Sequence, residues 1–161
     1  MPTPTYTLID SVTLGSSAAS VTFSGIPAGG DLAVVVSAGT TATSYLAVRL
    51  NGDTGSNYSF VQMYANGSST YSTSPSSQTA LFNNGLSTSA GGSLIKMDFL
   101  DASATDKHKS VIARHDWATG FLHAIAGRWA STAAITSIEI SQTSSTWLAG
   151  STFHLYQIVS E

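Results

Sequence analysis

The stretch Leu50-Asn51-Gly52-Asp53-Thr54-Gly55-Ser56-Asn57-Tyr58 decides how the chain is read. It joins two alternating segments, Tyr45–Leu50 and Tyr58–Ala65, which read Tyr-Leu-Ala-Val-Arg-Leu and Tyr-Ser-Phe-Val-Gln-Met-Tyr-Ala. A period of two between apolar and polar residues marks a half-buried strand. Asn-Gly and Thr-Gly tolerate positive φ, and Asp53 and Asn57 carry short side chains that can hydrogen-bond their own backbone. Asn51, Gly52, Asp53, Gly55 and Asn57 are therefore expected to build a structural turn, a hairpin-like corner between two strands. A calcium loop is the competing reading, and it lacks the several carboxylates that such a loop uses.

The same grammar recurs outward along the chain. Tyr6–Leu14, Ser20–Ile26, Gln78–Phe82, Leu94–Leu100, Ile135–Ser141 and Thr152–Val159 read as strands, with a short edge strand near Tyr71. Asp10 interrupts the apolar side of the first, which points to an edge or a bend. Asp31–Ala38 is apolar on both faces, as in a central strand covered on both sides. Lys109–Trp117 and Phe121–Trp129 read as a second hairpin, with Trp117 opposite Phe121, His115 opposite His123, and Gly120 in the left-handed position of the loop. Ten to twelve strands and no convincing helical period predict an all-β chain. The expected architecture is a single-domain antiparallel β-sandwich over residues 6–161, preceded by a loose arm at residues 1–5.

Composition narrows the function classes. The chain has 161 residues, enough to bury a core without staples, and no cysteine, so thiolate chemistry and cysteine zinc sites are excluded. Charged residues make up only 9%, and the net charge of −3 gives no electrostatic case for nucleic acid or an anionic membrane. No run approaches a membrane span or a signal peptide. Serine and threonine exceed a quarter of the residues and suit the outward positions of strands. The sequons Asn57-Tyr58-Ser59 and Asn66-Gly67-Ser68 read as turn chemistry.

Candidate chemistry is sparse. His115 and His123, about 5 Å apart across the proposed hairpin, could begin a metal site, but the motif offers no third ligand. Their face also carries Trp117, Phe121, Ile125 and Trp129, so a core margin or a subunit contact is the plainer reading. His115 and Asp116 are neighbours in a strand and point to opposite faces, which rules out an oriented base. There is no Gly-x-Ser-x-Gly elbow and no phosphate loop, and paired acids can be drawn only between distant positions such as Asp98 and Asp116. The expectation is a non-enzymatic protein without cofactor or metal. Trp147, which follows the polar run Gln142–Thr146, and Tyr71 are candidates for stacking on a sugar.

Three segments carry a resemblance. They are Leu8-Ile9-Asp10-Ser11-Val12-Thr13-Leu14-Gly15-Ser16 continuing to Ala19–Pro27; Arg49–Ser59; and Ala126-Gly127-Arg128-Trp129 with Ala133–Ile138 and Ala149–Tyr156. In these, in order, the chain resembles a family of small tailed-bacteriophage virion proteins with a jelly-roll-like β-sandwich. It departs at Tyr156-Gln157-Ile158, where the family often has Tyr-Gly-Ile. The resemblance implies a structural component of the virion, and the lack of a collagen-like or coiled-coil shaft favours a capsid decoration (cement) protein. The implied partners are the major capsid protein and identical subunits in a homotrimer. His115, Trp117, Phe121, His123 and Trp129 are the expected interface, because aromatic density there sits beside few charges. The alternative is a tail-associated receptor-binding head or carbohydrate-binding domain that reads a host surface glycan through Trp147 and Tyr71.

Overall fold

Along Phe121–Trp129 every second position, His123, Ile125, Gly127 and Trp129, is buried, and the residues between them are exposed. The same alternation holds in most strands of the computed structural model, which describes residues 5–83, 85–117 and 120–158, excepting the side chains of Ser87 and Trp117. The strands are β1 (Tyr6–Thr13), β2 (Ser20–Ser24), β3 (Asp31–Ala38), β4 (Ser44–Leu50), β5 (Tyr58–Ala65), β6 (Thr70–Thr73), β7 (Ser87–Thr88), β8 (Ser93–Leu100), β9 (Lys109–Trp117), β10 (Phe121–Trp129), β11 (Ser137–Gln142) and β12 (Thr152–Ile158). Of the expected arm, only Thr5 lies among the described residues.

These twelve strands form two antiparallel sheets, β1-β12-β3-β8-β9-β10-β5-β6 and β2-β11-β4-β7. With β5, β6, β9 and β10 set aside, the remaining eight strands, numbered in chain order, pair as 1-8-3-6 and 2-7-4-5. That is the strand order of a jelly roll, two interlocked Greek keys folded into a sandwich. The hairpins β5–β6 and β9–β10 are inserted into this frame, and both extend the larger sheet beyond β8.

The core lies where the two sheets overlap. Val34, Val36, Ile95, Met97, Phe99, Phe153 and Leu155 of the larger sheet join one buried cluster with Phe23, Leu46, Val48, Leu50, Ile138 and Ile140 of the smaller. Trp147 is fully enclosed in this core, edge-on to Phe153, with its indole N–H donated to the Ile140 carbonyl. The smaller sheet meets the added hairpins at Tyr58 of β5, whose hydroxyl accepts from the Leu50 amide. Beside it the connection between β6 and β7 packs on the larger sheet, with Leu81, Phe82 and Leu86 buried. Gly127 of β10 admits this cover, since a Cβ there would stand 2.8 Å from Leu81 Cδ2.

Two expectations need correction. Gln78–Phe82 is not a strand: its backbone pairs with the sheets only through single bridges, Tyr58 with Gln78 and Val48 with Leu81. Ser77 and Phe82 adopt left-handed φ of 55 and 64, so the backbone turns too soon for a ladder to form. The corner at Leu50–Tyr58 is not a hairpin either, because β4 and β5 lie in different sheets and the loop carries the chain between them. The second hairpin has the expected register, with His115 opposite His123 and Trp117 opposite Phe121. β1 is an edge strand with an irregularity between Leu8 and Asp10, where the sequence placed an edge or bend. β12 continues through Gln157, whose side-chain amide donates to the Gly29 carbonyl.

Candidate functional site

The corner residues do more than turn the chain. Asn51 and Gly52, with φ of 54 and 66, make a tight reversal closed by the Asp53 amide donating to the Leu50 carbonyl at 3.0 Å. The Asn51 side chain donates to the Ala134 carbonyl at 2.7 Å and accepts from the amides of Thr136 and Ser137, which fixes the approach to β11. Asp53 Oδ2 accepts from the Trp129 indole N–H at 2.7 Å and from Asn57 Nδ2 at 2.9 Å, and Oδ1 accepts from the Gly55 amide at 2.8 Å. The Trp129 bond first, then those from Asn57 and Gly55, hold the carboxyl below its ordinary pKa, against an opposing push from partial burial. Tyr58 stacks on Trp129, accepts from the Leu50 amide and donates to the Asp53 carbonyl, and burial pushes its phenol up to about 12. Asp53 and Tyr58 thus tie the two sheets together, and Asn51 anchors the loop to the approach of β11. It is architecture.

The inner face of the added hairpins holds the aromatic and histidine residues. His115 is 1% exposed and His123 4%, with ring centroids 5.3 Å apart. Tyr64 stacks on His123 at 5.0 Å and on Tyr71 at 4.9 Å, and Phe121 is half-buried beside them. Burial first, then the neighbouring His123, pushes the His115 imidazole down to about 3, while Asp116 acts in the opposite sense. His123 is lowered by burial. All four ring nitrogens are buried without a hydrogen-bond partner among the described residues. No third His, Cys, Asp or Glu joins the pair to form a metal-binding group among the described residues. Both rings are neutral at physiological pH, enclosed, and unable to serve as an exposed contact.

The expected interface therefore points the wrong way. His115, His123 and Trp129 are buried within the chain itself, Phe121 is half-buried, and the side chain of Trp117 lies outside the described residues. Trp147, the expected sugar platform, is a core residue, because Ala18 and Thr40 bridge to its backbone and fold the preceding polar run over the sheet end. Tyr71 remains 45% exposed.

What those strands offer outward is the opposite phase. Val61 and Met63 of β5, Leu94 of β8, Ile112 of β9 and Leu122 of β10 are 55, 64, 55, 49 and 65% exposed. They share one side of the sheet with Ala124 and Ala126, and the register makes them neighbours. Of the large apolar side chains exposed among the described residues, most lie on this one face rather than scattered singly. A shallow groove of about 650 Å³ crosses it, lined among others by Met63, Arg114, Leu122 and Ala124. Charges are few. Lys96 is paired with Asp98 at 2.7 Å, whereas Arg114 and Arg128 have no carboxylate partner among the described residues. Exposed apolar side chains gathered on one face and interleaved with a few charges suit a protein contact surface.

The chain matches none of the protein-family models, curated proteins or solved structures with which it was compared.

Proposed function

We propose that the chain is a non-enzymatic structural subunit that acts by contact, and specifically a capsid decoration protein of a bacteriophage virion. The observation that carries the first part is the apolar outer face of β8, β9, β10 and β5, placed opposite a closed inner face. The virion assignment is supported by the resemblance of the three quoted segments and by the jelly-roll strand order, an architecture common in viral capsid domains. Fold alone does not assign function, so the contact face and the resemblance must carry the reading together. The partners are the major capsid protein and identical subunits, for which the resemblance implies a trimer.

A particle map at subnanometre resolution tests this reading. The domain should appear as density over the capsid shell. Density at the tail tip would replace the reading with a receptor-binding head, and absence from purified particles would end it. One observation favours the receptor-binding alternative: Tyr71 stays half-exposed on the short edge strand β6, backed by Tyr64. That version predicts binding to a host surface glycan that is lost in Tyr71→Ala with the fold intact.

A further inference from the structure

Across the outer face, the strand register sets side chains in transverse rows. One row runs Arg114, Ala124, Met63, and the next runs Asp116, Leu122, Ala65, on β9, β10 and β5 in that order. We propose that this face binds the same face of a second copy, about a two-fold axis that lies between the sheets, perpendicular to the strands and midway between these two rows. Such an axis stacks each strand over its own copy in reversed direction and exchanges the rows. Arg114 then stands over Asp116 of the second copy, Leu122 over Ala124, and Met63 over Ala65.

The three exchanged pairs on β9, β10 and β5 are complementary, while on β8 Lys96, already paired with Asp98, stands over Leu94. A cation without a carboxylate partner among the described residues meets an exposed carboxylate. The Asp116 Oδ1 atom accepts from the Leu94 amide at 2.9 Å, which leaves Oδ2 for the guanidinium. A large side chain meets a small one twice, so the two faces can interdigitate at the roughly 10 Å spacing of stacked sheets. A two-fold contact requires this self-complementarity, since residue i meets j and j meets i. The contact is small. Five strands at ~4.8 Å spacing and about five residues at ~3.4 Å rise give a footprint near 24 by 17 Å, because β9 ends at Trp117 and β10 begins at Phe121, two residues past the axis. That is below the ~800 Å² per partner of a standard interface, so the association is a weak one. Burying the apolar part at ~25 cal/mol/Å² provides the driving force, and the Arg–Asp pairs fix the register.

This inference rests on the reading of the outer face as a contact surface and names its occupant, and it does not depend on the virion assignment. The product is a closed dimer, in place of the trimer that the resemblance implies. Sedimentation equilibrium of the full chain between 1 and 100 µM should give twice the 16.6 kDa chain mass, with dissociation at the low end. Leu122→Glu places a charge on an exposed position, so it should leave the melting temperature of the monomer intact and weaken association on the order of 100-fold. Arg114→Asp and Asp116→Arg should each weaken it, and the double exchange should restore it. A trimer mass, a monomer throughout, a dimer indifferent to Leu122→Glu, or a double exchange no better than either single change would overturn the proposal. A well-folded monomer would assign this face to a different protein.

Discussion

At the scale of single residues, Asp53 shows how a turn residue becomes a structural keystone. A short acidic side chain in a Gly-rich corner is expected to satisfy local amides, which it does through Gly55. Its second oxygen reaches across to the Trp129 indole, 76 positions away in sequence. Asp53→Ala removes a hydrogen bond to a charged acceptor and leaves the indole N–H of a nearly buried tryptophan unpaired. The expected loss is about 2–3 kcal/mol, read as a lower urea midpoint at constant m, against ~1 kcal/mol for Asn57→Ala. A loss for Asp53→Ala no greater than that for Asn57→Ala would mean the indole bond contributes little. The carboxyl titrates lower in the folded state than its ordinary 3.8. Its contribution is therefore complete above that value and disappears as pH falls through the depressed pKa. Nothing local pointed to Trp129, because a cross-sheet partner leaves no spacing signal.

At the scale of elements, the alternation of apolar and polar residues was enough to place the strands and to pair β9 with β10 in the correct register. It was not enough to decide which phase faces out. On β9 and β10 the aromatic phase drew attention as a contact surface, but it is buried within the chain, and the connection that carries Leu81 and Phe82 packs on Gly127 of the same face. The outward phase, Ile112 and Leu122, was legible as apolar residues at positions that should be polar in a solvated strand. Gln78–Phe82 was misread for a related reason: its apolar residues serve as a lid, and a lid has no ladder to impose a period. Gly127 is where lid and sheet touch. Gly127→Val sets a branched side chain against Leu81 in a packed core, with an expected cost of 1–3 kcal/mol by overpacking. The same change at Ala126, one residue away on the open face, should stay within about 0.5 kcal/mol. Thermal denaturation of the pair checks this, and equal losses would show that the lid is not seated there.

At the scale of the whole molecule, the sandwich class followed from strand number and spacing, while the jelly-roll order did not, because which sheet receives a strand depends on contacts far apart in the chain. β4 and β5 are separated by seven residues and yet belong to opposite layers. The same long-range closure seals His115 and His123 inside, and this makes the stability of the entire domain depend on acid. The His115 imidazole falls from 6.5 to about 3 on folding, with burial the main cause. The unfolded chain takes up a proton near 6.5 that the folded chain refuses, so stability is undiminished above that pH and declines steadily as pH falls toward 3. At 1.36 kcal/mol per unit, the loss attributable to this ring is roughly 3–5 kcal/mol, a large share of a typical domain's total. His123 shifts in the same direction. Replacing the ring by a similar apolar shape removes both the proton and the unpaired nitrogens, so His115→Phe should flatten the stability profile between pH 6.5 and 4. At neutral pH it should cost no more than about 1 kcal/mol, because a buried polar group without partners contributes little that packing cannot replace. Urea unfolding at several pH values, with and without a chelator, measures this directly. An unchanged slope would show that the acid response comes from elsewhere. A loss above ~3 kcal/mol at neutral pH, with the wild type sensitive to chelator, would mean that the imidazoles hold an ion between the strands.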